Sequence, residues 1–210
     1  PVPGYDRHFA VTEHFGIEMI NIPMSADGPD MDLVEKYVSE DPAVKGIWCV
    51  PKYSNPQGVV YSDDTIRRFA NLKPAASDFR IFWDNAYCVH HIYEDKQAQI
   101  LNILDECEKA GNPDLVFQFC STSKVSFPGA GIAAISASAA NIADIKKQLS
   151  FQTIGHDKIN QLRHVRYFKD RAGIEAHMMK QAAIIRPKFE MVLDLLEKEI
   201  KPLGIGSWVN

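Results

Sequence analysis

The chain is predicted to form a three-layer α/β/α fold around a mostly parallel sheet. Two observations point there. Short, mostly apolar runs at residues 46–51, 80–83 and 115–120 alternate with segments of helical period. Polar residues stand just past these three runs: Asn55, Asp84 and Lys124. Continuous apolar strands suit a sheet covered on both faces. Ligands of open α/β sheets gather at the carboxyl ends of the strands, so three separate segments deliver polar groups to one sheet edge.

In chain order, the apolar residues 17–22 read as a strand. Residues 30–40 read as a helix with Asp30 as N-cap and Leu33, Val34 and Tyr37 on one face. Residues 46–51 form a short strand ended by Pro51. Residues 62–72 form a helix whose Ser62 precedes acidic Asp63 and Asp64. Residues 80–83 form a strand ending at Asp84. Residues 100–110 form a helix stopped by Gly111-Asn112-Pro113. Strands at 115–120 and 131–138 flank Lys124, and this pair could run antiparallel. A helix at 141–151 precedes a polar stretch, 153–170, rich in His and Arg. A long helical pattern covers 173–201, with Phe189, Val192, Leu193, Leu196 and Ile200 on one stripe. Pro187 should kink or split it.

The 210 residues are 46% hydrophobic and 24% charged with a net charge of −4, an ordinary globular composition. No concentrated basic stripe suggests nucleic acid, and no apolar run reaches the ~18 residues of a membrane span. Cys49, Cys88, Cys107 and Cys120 show no CxxC pairing. Cys49, Cys88 and Cys120 sit in apolar runs, as small buried thiols of a reducing cytoplasm would. The chain starts at Pro1 without Met and stops at Asn210, soon after Gly204-Ile205-Gly206. It is expected to be an internal portion of a longer protein.

Three ordered motifs carry the chemistry: Asn55-Pro56-Gln57-Gly58, Asp84-Asn85-Ala86-Tyr87 and Ser121-Thr122-Ser123-Lys124. Each alone is weak. Together they supply what a pyridoxal phosphate site needs: an amine for a Schiff base, a carboxylate for the ring nitrogen and two donors for the ring oxygen. A free lysine amine is a poor nucleophile, with roughly one in 2,500 unprotonated at pH 7. Condensing Lys124 with an aldehyde removes that obstacle, and the freed amine can then move a proton as a general base. Asp84 would keep the pyridine nitrogen protonated. Tyr87 and Asn55 would donate to the phenolic oxygen.

These residues resemble the fold-type I, class I aminotransferases. The surrounding text is similar to a divergent aspartate aminotransferase subgroup: Pro3-Gly4-Tyr5-Asp6-Arg7-His8-Phe9, His90-His91, Gly129-Ala130-Gly131 and Asp157-Lys158-Ile159-Asn160-Gln161-Leu162-Arg163-His164. The resemblance covers essentially the whole chain. It implies a pyridoxal-phosphate-binding large domain at 1–172, incomplete at its N-terminus. It also implies, at 173–210, an interdomain helix and the start of a small domain. Tyr5 then matches the aromatic that stacks on the cofactor ring, Ser121 a phosphate-binding serine and Lys124 the Schiff-base lysine. Ser123 would add a second hydroxyl near the phosphate. The implied partners are an amino acid, a 2-oxo acid and a second copy of the chain in a cytoplasmic homodimer.

One feature departs from the family. Residues 125–138 contain no arginine, where the family usually clamps the phosphate with one. Backbone N–H groups of the glycine-rich turn can bind phosphate, and the rest of the hold is expected from an N-terminal segment preceding this chain or from a neighbouring subunit. The family's substrate-carboxylate arginine falls beyond this chain. Arg163, Arg166 and Lys169 could be a nucleic-acid patch, and more simply a solvated helix face; the resemblance instead suggests a loop reaching the partner's site, with Arg163 meeting a dicarboxylate. His90 and His91 are adjacent, would point to opposite faces of a strand and suggest no metal. Other readings are a lyase or decarboxylase on the same scaffold, or a ligand-sensing domain of a transcription regulator. An upstream helix-turn-helix would mark the regulator.

Overall fold

A computed structural model of the chain describes residues 1–206. It divides into two compact units. The first comprises Pro1–Cys88 and Gln99–Gln161; the second comprises Val89–Ala98 and Leu162–Asn210. Residues 207–210, the end of the expected second domain, lie outside the described residues.

The first unit opens with α1 (Asp6–His14), which has an acidic first turn and buries no residue. The strand expected at 17–22 does not form. Its apolar residues find no neighbouring ladder, and Ile17, Met19 and Ile20 stay exposed. Only Ile22 is buried, where its carbonyl accepts from the Val2 N–H at 2.8 Å. A short hairpin follows, β1 (Met24–Ser25) against β2 (Gly28–Pro29).

Helix α2 (Met31–Glu40) begins where the Asp30 carboxylate accepts from the N–H groups of Asp32 and Leu33, offsetting two of the orphan donors of a helix start. Its inward stripe is Met31, Val34 and Val38, so the expected face is rotated: Tyr37 is exposed and Leu33 packs at the margin. Strand β3 (Gly46–Cys49) leads to α3 (Asp63–Ala70), capped by Ser62 on the Thr65 N–H. Strand β4 (Arg80–Asp84) leads to α4 (Ile103–Lys109). That helix starts later than expected because the Asn102 side chain caps it through the Leu104 N–H. Strands β5 (Val116–Ser121) and β6 (Ala133–Ser136) precede α5 (Ala139–Gln152), capped by Ser138.

The sheet order is β3-β4-β5-β6. The first three strands are parallel, and β6 lies antiparallel to β5. The mostly parallel α/β architecture expected from the sequence is thus formed. Alternation along β4 turns Ile81 and Trp83 into one core with Phe69 and Ile66 of α3 and Ile103 and Cys107 of α4. The Phe69 and Trp83 rings meet edge to face at 5.7 Å, a favoured aromatic geometry. The other face carries Trp48, Phe82 and Phe119, with ring planes parallel within 4°. Cys49 and Cys107 are buried, and burial pushes both thiols up to about 12. Cys120, expected to be buried, is exposed: it shares the face of Val116 but stands near the carboxyl end of β5, past the residues that make the core.

Helix α6 (Lys158–Phe168) crosses from the first unit into the second and gives the polar stretch its structure. In the second unit, α7 (Arg171–Leu195) starts with Asp170 capping the Gly173 N–H. A Cβ on Gly173 would lie 1.8 Å from the Phe168 carbonyl oxygen, so only glycine permits this tight entry. The expected split at Pro187 does not occur. Proline removes one donor, and the ladder on both sides carries a helix of 25 residues through it. A π turn (Leu196–Ile200) and a 3-10 turn (Lys201–Leu203) continue it. Segment Val89–Ala98 is held to α7 by the Arg186 guanidinium, which donates to the Ile92 carbonyl at 2.7 and 2.9 Å. The Tyr93 hydroxyl and Glu190 carboxylate add a contact at 3.1 Å. Among the described residues no helix is long and apolar enough to cross a membrane.

Candidate active site

The carboxyl ends of β3, β4 and β5 point the same way because these strands are parallel. Each is followed by a tight, bonded turn. After β3 the loop closes through the Ser54 N–H to the Val59 carbonyl at 3.0 Å, with Gly58 at a positive φ of 73°. Asn55 sits in this loop. After β4, the Asn85 N–H reaches the Phe119 carbonyl of β5 at 2.9 Å, and the Cys88 N–H returns to the Asn85 carbonyl. Asp84 and Tyr87 ride on this turn. After β5, the N–H groups of Val125 and Ser126 both donate to the Thr122 carbonyl. That turn presents Lys124.

The Lys124 ammonium lies 4.5 Å from the centroid of the Tyr87 ring and 5.8 Å from that of Tyr5. Both rings are within cation–π reach. Tyr5, Tyr87 and Lys124 are therefore brought together from three distant stretches of chain. Asp84 joins them through His8. The His8 ring meets Tyr5 edge-on at 5.5 Å and Trp48 at 4.5 Å, and its Nε2 is 4.0 Å from an Asp84 oxygen. Burial pushes the His8 pKa down, while the Asp84 charge pulls it partly back. Tyr5, His8, Trp48 and Asn55 line one cavity of about 350 Å³.

The Ser121 and Ser123 hydroxyls are 2.9 Å apart. The loop carrying Gly129 and Gly131 lies against them. A Cβ on Gly131 would stand 3.0 Å from the Ser123 nitrogen and 3.3 Å from its hydroxyl, so a side chain there would crowd the pair. Three bonds pin this loop beside the lysine turn. The Ile132 N–H donates to the Thr122 hydroxyl at 2.9 Å. The Asn160 side-chain amide donates to the carbonyls of Ala130 and Gly131. Two hydroxyls and a close glycine loop form a small, donor-rich cradle suited to an anion.

Sequence reading missed His8, Thr122 and Asn160. His8 had a signal, since it falls one helical turn after Tyr5. Thr122 and Asn160 had only their place inside quoted motifs. Arg163 belongs to the second unit and is exposed on α6; the first-unit cluster is built without it.

An amine near two aromatic rings, a carboxylate at the end of the next strand and two hydroxyls on its own strand and turn thus meet at one sheet edge. The aspartate amino-transferase family model matches residues 1–210. The chain belongs to the aspartate aminotransferase family. An aspartate aminotransferase of Corynebacterium glutamicum is 46% identical over 208 residues, covering 99% of this chain and 48% of that protein. The crystal structure of an aspartate transaminase from the same species superimposes with a TM-score of 0.96 at 45% identity, covering 100% of this chain and 49% of that one. LysN, an α-aminoadipate aminotransferase of Thermus thermophilus complexed with N-(5'-phosphopyridoxyl)-L-leucine, shares the fold with a TM-score of 0.76 at 21% identity. It is covered to 49% by 94% of this chain. The chain thus spans about half the length of the curated aminotransferases it matches.

Proposed function

We propose that the protein containing this chain is a pyridoxal-phosphate-dependent aminotransferase. It moves an amino group between aspartate or glutamate and a 2-oxo acid. The observation that carries this reading is the Lys124 amine held between the Tyr5 and Tyr87 rings, on the strand beside the one that ends in Asp84. Bound pyridoxal phosphate supplies an aldehyde that condenses with amines and a ring that draws electrons from a substrate Cα.

The chain's own residues have distinct tasks. Lys124 would supply the amine that holds the cofactor's aldehyde carbon and would move the proton at the substrate Cα. Asp84 would hold a proton at the ring nitrogen, with His8 behind it. Asn55 and Tyr87 would donate to the ring oxygen. Tyr5 would pack against the cofactor. Ser121 and Ser123, with the N–H groups of the glycine loop, would bind the phosphate. Residues 1–172 act as the coenzyme domain, and 173–210 lead into a smaller one. We read the whole protein as a cytoplasmic homodimer.

The test uses the full-length protein with added pyridoxal phosphate. Borohydride reduction is expected to abolish the visible absorbance band and leave a pyridoxyl group on Lys124 in a peptide map. Aspartate should then bleach the band of the unreduced enzyme. A pyridoxyl group on another lysine, or no band, would refute the assignment. Arg163 is proposed to meet the distal carboxylate of a dicarboxylic substrate. Arg163→Ala is expected to cost about tenfold or more in kcat/KM for aspartate, on the order of a lost charge-assisted bond. Unchanged aspartate kinetics would count against that role.

A further inference from the structure

Lys52 is a buried lysine to which none of the steps above gives a task. It follows Pro51 in the loop after β3 and is 6% exposed. Lysine is almost never this buried without a partner. Its ammonium donates to the Cys88 carbonyl at 3.0 Å. Cys88 is the residue directly after Tyr87, and Lys52 stands three residues before Asn55. One bond therefore joins the loop that carries Asn55 to the turn that carries Tyr87.

The surroundings make this tie rigid. Tyr53 holds a left-handed φ of 51°, uncommon for a residue with a side chain. The Tyr61 N–H returns to the Pro51 carbonyl at 2.8 Å and closes the loop behind it. On the other side, the turn after β4 is fixed by the Asn85 N–H on Phe119. An apolar side chain of similar length could fill the same space without desolvating a charge. What the ammonium adds is a directed bond between the two loops. Burial pushes its pKa down, which disfavours the charged form, so the bond to the Cys88 carbonyl has to hold the ammonium against that cost.

We propose that Lys52 is a positioning residue that sets Asn55 and Tyr87 at a common distance from the cofactor's ring oxygen. This rests on the pyridoxal phosphate reading above. Both donors favour the ionised ring oxygen and so lower the pH at which the Lys124 adduct loses its proton. Slackening the tie raises that pH. Losing a nearby positive charge acts in the same direction.

The experiment is a pH titration of the visible absorbance of the coenzyme-loaded, full-length protein. Wild type is compared with Lys52→Met, Lys52→Gln and the exposed control Lys73→Met, with thermal unfolding followed in parallel. Lys52→Met is expected to raise the spectral midpoint by about one pH unit. Lys52→Gln, which keeps an N–H donor, should move it less, and Lys73→Met should leave it in place. In an Asn55→Ala background, Lys52→Met should add less than its full shift, because both changes act on the same donors. A lowered melting temperature with an unmoved midpoint would overturn the proposal and leave Lys52 a structural residue only. If Lys52→Met does not fold, an unmoved midpoint in Lys52→Gln overturns it equally. A wild-type protein with no coenzyme band would instead sink the cofactor reading itself.

Discussion

His8 shows how one side chain links the fold to the chemistry. It touches Tyr5, Trp48 and Asp84 at once. Burial keeps its pKa below the ordinary 6.5, with Asp84 opposing in part. The unfolded chain therefore holds this proton more tightly than the folded one. Stability from neutral His8 is complete above about pH 6.5 and declines as the pH falls below it. His8→Gln is expected to flatten urea stability across roughly pH 5–7. A wild-type profile in the variant would mean that another group sets the slope. The site motifs were legible residue by residue because each follows an apolar run, so Asn55, Asp84 and Lys124 could be placed at strand ends. His8 had only its place one helical turn after Tyr5, on a helix that buries nothing and so shows no apolar stripe.

At the scale of elements, caps and periodicity decided what could be read. Asp30 and Ser62 announce α2 and α3, and both side chains bond the first-turn N–H groups. Helix α1 buries nothing and gave no periodic signal. The 17–22 run had the composition of a strand, but among the described residues it is bridged only by the single Val2 N–H at Ile22 and has no neighbouring strand, and a ladder needs two strands. Helix α3 is the element on which the sheet core depends most. Phe69 is fully buried against Tyr61 and Trp83. Phe69→Ala is expected to cost about 3–5 kcal/mol in denaturant unfolding. A loss under about 1 kcal/mol would show that the surrounding side chains collapse into the space.

For the molecule as a whole, protection should follow burial rather than secondary-structure type. The Ile81 N–H is bonded to Leu115 at 2.7 Å inside a sheet whose Ile81 and Val116 have no exposure. Amides of β4 and β5 are expected to exchange slowest, and those of α1 fastest among the first-unit helices. Hydrogen exchange read by mass spectrometry checks this. Equal protection of α1 and β4 would mean that α1 is held by more than its contacts here.

The sequence by itself determined the α/β class, the helix starts at Asp30 and Ser62, and the three strand-end motifs. These depend on local spacing and on side chains acting within a few residues. The tertiary structure decided the antiparallel β6, the inward face of α2 and the exposure of Cys120. It also decided the meeting of Tyr5, Tyr87 and Lys124, the approach of His8 to Asp84 and the bond from Lys52 to Cys88. Each joins residues far apart in the chain, and only packing of the sheet fixes which of them become neighbours.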